Sequence, residues 1–135
     1  MAQYNILTED LILKLKEAAP GHILSGDDIN EDYSHDEMPI YGKCAPQVVF
    51  MAHSTEEVSK VVKICNENKI PVTPRGAGTG LVGGAVPVLG GVLIDITKMN
   101  KILSYDLENF VVNVEAGVLL NDLAEDCAKQ GLLYA

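Results

Sequence analysis

Eleven residues, Pro74 to Gly84 (PRGAGTGLVGG), contain five glycines, one arginine and no acidic residue. Such a stretch could do one kind of chemistry well. Glycine opens backbone conformations closed to other residues and lets a ligand approach the main chain. Successive N–H groups in a tight turn then make a concave site for an anion. Arg75, at the start of the loop, could add a charge-assisted bond to a phosphate, or fix the loop by bonding a carbonyl. Ala77 and Thr79 are small enough for a flat, bulky cofactor to lie against the backbone. The competing reading is a flexible turn with Arg75 at the surface. The glycines are denser than a turn needs, and each costs unfolded-chain entropy. Close approach of a ligand is the better account.

Two familiar nucleotide motifs fail here. Gly78 to Gly83 fits the spacing G-x-G-x-x-G. A Rossmann fingerprint requires those glycines to open a helix whose N-terminus meets the pyrophosphate. Here the sequel is GAVPVLGG, with Pro87, Gly90 and Gly91, which is no helix. The acidic ribose partner expected downstream is also misplaced, since Asp95 sits inside the apolar run VLIDI. A P-loop ends in Gly-Lys-Ser/Thr, whereas Gly83-Gly84 is followed by Ala85 and the loop has no lysine. A nest of main-chain donors remains.

The other reactive residue types are scattered. Cys44, Cys65 and Cys127 are far apart and lack C-x-x-C spacing, so neither zinc nor a disulfide framework is expected. Cys65 and Cys127 fall on apolar helix faces and read as small core residues. His22 follows Pro20-Gly21 and reads as exposed, and His53 as a strand-end residue. His35, in YSHD, reads as part of a solvated loop or as the neighbour of a structural Asp36 cap, rather than as a metal ligand or a catalytic group. Asp95 would be costly if buried without a partner, so a hydrogen bond to the following turn is expected.

The elements that must position the loop are legible from pattern. Thr8 is a fitting N-cap for a helix over residues 8–19, with Glu9 and Asp10 at its positive end and Leu11, Leu15 and Ala18 along one face. Leu7 and Ile12 suit a hydrophobic staple, and Pro20-Gly21 stops the helix. Residues 21–45 read as irregular and acidic. QVVFM (Gln47–Met51) is a buried strand, and Ser54 with Glu57 forms a capping box for a helix to about Asn68. Ile70–Thr73 is a second strand, so a βαβ unit with a parallel pair is predicted just before the glycine loop. Val92–Ile96 and Phe110–Val114 are further strands. A helix from Val118 or Leu119 to Lys129 follows, with Gly131 at its C-terminal stop. Leu132, Leu133 and Tyr134 look like the start of another buried element.

Composition bounds the function. The chain has 135 residues, 47% of them apolar, enough for one domain with a core of Val, Ile, Leu and Ala. Net charge is −9, which argues against a nucleic-acid surface and against anionic lipid. Nine acidic residues against three lysines in residues 1–45 suggest a solvated N-terminal layer. No signal peptide is read at MAQYNILTEDL and no transmembrane segment anywhere, so a reduced, cytoplasmic setting fits.

With these parts assembled, one resemblance is specific. P-x-x-V followed by STEEV, then PRGAGTGL, GGVLIDITKMNKI and VNVEAGV, resembles the start of the FAD-binding domain of the vanillyl-alcohol oxidase/PCMH flavoproteins. It is most similar to the branch that holds glycolate oxidase and D-lactate dehydrogenase, from about Tyr33 to Ala135. The resemblance implies an α+β fold: a βαβ-containing first subdomain plus the start of a second, mainly antiparallel one. Residues 1–45 would be an N-terminal helix and acidic segment, and 46–135 an FAD-binding domain incomplete at its C-terminus. It further implies that FAD lies on Pro74, Arg75, Gly76, Ala77, Gly78, Thr79, Gly80 and Leu81, with Glu115–Gly117 bordering the flavin. Covalent relatives carry a histidine at the position of Thr79, which implies noncovalent FAD here. The implied parent enzyme oxidises a small 2-hydroxy acid, of the D-lactate or glycolate type, by hydride transfer to flavin N5. An electron-transfer flavoprotein, an iron–sulfur protein or a quinone would take the electrons. The catalytic groups of the branch come from its later half, so no catalytic residue and no metal ligand is expected in this stretch, which reads as a fragment without its own turnover. The alternative is a non-catalytic module that binds nucleotide or a partner protein.

Overall fold

The computed structural model describes residues 3–38, 40 and 42–134; Pro39, Tyr41 and Ala135, which fall in stretches interpreted from the sequence, lie outside them. Helix α1 (Glu9–Ala18) starts where Thr8 predicts, its Oγ1 accepting from the Leu11 N–H at 3.4 Å. Leu15 is buried, and half-buried Leu11 and Ile12 pack with Leu7 against the core. Strand β1 (Ile23–Ser25) follows, within a stretch read as irregular. Three residues carry no detectable period, and β1 is ordered by antiparallel pairing with β2 (Val48–Met51), where Ile23 meets Phe50 and Ser25 meets Val48. The N-terminal part is therefore not a solvated layer only, since it supplies core residues and an edge strand.

Helix α2 (Thr55–Glu67) is capped by Ser54, whose Oγ accepts from the Glu57 N–H at 3.2 Å. The return arm of the capping box lands one residue early. Glu57 Oε2 accepts from the His53 N–H at 3.1 Å, and Oε1 lies 3.0 Å from His22 Nδ1. The His22 and His53 rings stack at 3.9 Å, so His22 is half-buried rather than exposed. At the other end, the Ile70 N–H reaches back to the Cys65 carbonyl and the Lys69 N–H to Asn66. This is a Schellman ending with a lysine, φ +54°, where glycine is preferred.

Strands β3 (Val72–Arg75) and β4 (Val92–Asp95) complete a four-stranded sheet of order β1-β2-β4-β3. The βαβ reading correctly makes β2 and β3 parallel, but they are not neighbours: β4 lies between them and pairs with both. The reason is in the side chains. All four residues of VLID are buried, which suits a central strand. Pro74 has no N–H and confines β3 to an edge. The core lies between this sheet and the helices, around Val48, Phe50, Val61, Cys65, Val92, Ile94 and Leu15. Burial pushes the Cys65 thiol up to about 11, as expected of a core cysteine.

A second, two-stranded sheet pairs β5 (Ile102–Asp106) with β6 (Val111–Val114). β5 is absent from the sequence-based reading, because ILSYD shows no clean alternation. Helix α3 (Leu120–Lys129) buries Leu123 and Cys127 and ends at Gly131, φ +73°. The Leu132 N–H bonds the Cys127 carbonyl and the Gly131 N–H that of Ala128. Leu132 thus completes the helix ending, and Leu133 beyond it is exposed.

Candidate FAD site

The glycine loop leaves β3 at Arg75 and returns to β4 at Gly91. Gly76, Ala77 and Thr79 line one wall of a cleft of about 360 Å³. The opposite wall is Ala116 to Asn121, the junction of β6 with the first turn of α3. Two sets of main-chain donors meet there. Among the described residues, none of the N–H groups of Gly76 to Gly80 has a hydrogen-bond acceptor. Across the cleft, the N-cap of α3 is Leu119, which has no side-chain oxygen, so the first N–H groups of the helix are also uncapped. Unmet donors and a helix N-terminus are the parts from which anion sites are built.

The predicted residues divide by what they face. Gly76, Ala77 and Thr79 open onto the cleft. Gly78 is buried, with φ +78°. A Cβ there would run into the Arg75 guanidinium, with Arg75 Nε at 3.0 Å. Gly80 is exposed, with Asp36 Oδ2 4.0 Å from where its Cβ would stand. Pro74 and Leu81 are exposed and line neither wall of this cleft. Ala116 and Gly117, from the segment expected to border the flavin, do lie opposite Thr79.

Arg75 makes the carbonyl bond considered for it. Its Nη1 donates to the His35 carbonyl at 2.5 Å, and its guanidinium lies 5.8 Å from the Tyr33 ring centroid. A further cleft of about 410 Å³ opens on this side, lined by Tyr33, Arg75, Gly76, Ala77, Asp95 and Thr97 among others. The two clefts share Gly76 and Ala77, so this part of the loop is a wall common to both. Asp95 has the partner its burial requires. Oδ1 accepts from the Thr97 N–H and Oδ2 from the Tyr33 hydroxyl, both at 2.8 Å. Tyr33 and Asp36 are the residues that sequence reasoning did not place at the site. No local pattern links them to a loop 40 or more positions away.

Desolvation, followed by the bond to Asp95, pushes the Tyr33 hydroxyl up to about 12 from its ordinary 10. The folded state favours the neutral phenol, so this contribution to stability is whole below pH 10 and is lost as the pH rises through 12. Wild type should therefore lose stability between those limits more steeply than Tyr33→Phe in urea titrations. Equal slopes would refute the link.

Comparison with known proteins agrees with the geometry. Residues 46–135 match a family described as "FAD binding domain". The chain is 67% identical over 132 residues to the D-lactate dehydrogenase of Anaerostipes hadrus, covering 98% of this chain and 28% of that protein. It is 38% identical over 102 residues to glycolate oxidase subunit GlcD of Bacillus subtilis (strain 168), covering 76% and 22%. The chain thus spans about a quarter of the length of these relatives. Alkyldihydroxyacetonephosphate synthase has the same fold, with a TM-score of 0.81 at 23% identity over 97% of this chain and 26% of that one. Among the described residues, no helix is long and apolar enough to cross a membrane, and no cluster of three or more His, Cys, Asp or Glu could hold a metal. A loop of unmet main-chain donors set in this fold, and a family match that contains the whole of it, agree: the chain belongs to the family described as "FAD binding domain".

Proposed function

We propose that this chain is the cofactor-holding part of a flavin-dependent dehydrogenase that oxidises a small 2-hydroxy acid of the D-lactate or glycolate type. The observation that carries the reading is that the N–H groups of Gly76, Ala77 and Thr79 have no acceptor among the described residues, and that these residues line a cleft together with the first turn of α3. A diphosphate needs such donors and a backbone it can approach closely. The residues present fit FAD. Gly76 and Ala77 would hold the diphosphate, and Thr79 would face the more distal part of the cofactor across from Ala116 and Gly117.

Bound FAD supplies the acceptor for the hydride that leaves the substrate Cα. The chain itself binds and orients. Its N–H groups offset the diphosphate charge, and the Ala116–Asn121 wall limits how far the cofactor can slide. Similarity to D-lactate dehydrogenase and to GlcD supports the substrate class. An electron-transfer flavoprotein, an iron–sulfur protein or a quinone would then take the electrons.

The FAD is held noncovalently. The loop from Pro74 to Gly84 contains no His, Cys or Tyr, and the Thr79 hydroxyl is a poor tether for the flavin ring. Acid precipitation of the whole holoprotein should leave the yellow colour in the supernatant. Colour retained in the washed pellet would sink noncovalent binding, and a whole protein that takes up no flavin would sink the functional reading.

A further inference from the structure

We infer that residues 33–36, which precede the matched FAD domain, form a strap that sets the shape of the FAD loop, with Asp36 as a positioning residue. The inference rests on the FAD reading above. The Asp36 side chain belongs to a residue only 6% exposed. Burying a carboxylate is costly unless its oxygens are bonded. Both are: Oδ1 accepts from the Met38 N–H at 2.9 Å, and Oδ2 from the Gly83 N–H at 2.8 Å, 47 residues away. Gly83, φ +74°, lies at the far end of the loop. Its position is thus fastened to the N-terminal segment.

The near end and the middle are fastened by the residue next door. The His35 carbonyl accepts from Arg75 Nη1, and this bond holds the guanidinium where a Gly78 Cβ would otherwise stand. Tyr33 secures the strand that receives the loop, through its hydroxyl on Asp95. Three residues of one short segment therefore brace β3, the loop and β4.

The division of labour is clear from which donors are used. The strap takes up the Gly83 N–H and the Arg75 guanidinium. The N–H groups of Gly76, Ala77 and Thr79, three residues that line the cleft, have no acceptor among the described residues. Asp36 itself is a poor ligand for an anionic cofactor, since it is negative and each of its oxygens already has a donor. It acts through Gly83, and the neighbouring His35 carbonyl acts through Arg75.

Charge separates positioning from direct contact. If Asp36 mattered only as a negative charge near the diphosphate, Asp36→Asn would tighten FAD binding. If it positions the loop, Asp36→Asn weakens binding modestly, because the amide oxygen keeps one acceptor. Asp36→Ala, which keeps none, should weaken it by about tenfold or more. Arg75→Lys, which loses the planar fork, should also weaken it. The experiment measures FAD affinity by flavin fluorescence in the whole protein, and amide hydrogen exchange in its apo form. Faster exchange at Gly83 in Asp36→Ala, which keeps no acceptor, with the β4 amides still protected, supports the strap. Unchanged or tighter FAD binding in the Asn and Ala variants, or unchanged exchange at Gly83, overturns it. Should Asp36→Ala fail to fold, the Asn variant and Arg75→Lys decide. A wild-type protein that binds no FAD would instead sink the functional reading, and exchange at Gly83 would still judge the strap.

Discussion

Gly91→Ala should cost about 3–4 kcal/mol of folding stability, the sum of a left-handed backbone penalty and a steric clash. Gly91 has φ +71°, where a Cβ is disfavoured before any neighbour is considered. A Cβ there would also collide with the Pro71 carbonyl oxygen and lie 2.7 Å from Pro71 Cγ. Neither obstacle can move cheaply. The Pro71 carbonyl accepts from the Val92 N–H, and the Gly91 carbonyl accepts from both Gln47 and Val48. The residue thus sits where β2, β3 and β4 all begin. A domain has only about 5–15 kcal/mol to lose, so a large share of the variant should be unfolded or insoluble at growth temperature. A urea midpoint equal to wild type would contradict the close approach of Pro71 to this residue.

Gly117→Ala should be of similar size and should also reach the cofactor. The φ of Gly117 is ordinary, so the whole effect is steric. A Cβ would run into the Ile96 carbonyl oxygen and lie 2.9 Å from that of Met99. The Gly117 N–H donates to Met99 at 2.8 Å, which ties the start of α3 to the turn after β4. Adding a methyl group must push the two apart, at about 1–3 kcal/mol for overpacking plus about 1 for the strained hydrogen bond. Because Gly117 lines the cleft opposite Thr79, the displaced wall should also weaken FAD binding in the protein that remains folded. Measuring both denaturation midpoint and flavin affinity tests this. A variant that loses stability and keeps full flavin affinity would show that the Ala116–Asn121 wall does not take part in binding.

These two glycines show how differently a sequence encodes a position. Gly91 belongs to a Gly-Gly pair between a Pro-containing loop and an apolar strand, and a turn is evident there without coordinates. Gly117 stands in an ordinary strand-to-helix link, and its necessity comes from carbonyls at 96 and 99 that only folding brings near. The same contrast runs through the helix caps. Thr8 and Ser54 cap their helices as their neighbours predict. The return arm of Glu57 goes instead to His53 and His22, because β1 carries His22 beside it.

Periodicity, caps and turn residues act over a few positions, and they determined α1, α2, α3, the strands at Val48, Val72, Val92 and Val111, and the glycine loop itself. The loop's composition was enough to reject a Rossmann helix and a P-loop. The order of strands was settled by tertiary packing. β4 enters between β2 and β3 because its four residues are all buried, while Pro74 and the short β1 can occupy only edges. Packing also supplied a partner for Arg75. Its charge and place suggested either a phosphate or a carbonyl, and the chain that folds beneath it presents the His35 carbonyl. Asp36 and Tyr33 joined the site for the same reason. A hydrogen bond across 47 or 62 residues leaves no local pattern, since it exists only after the sheet has brought its partners together.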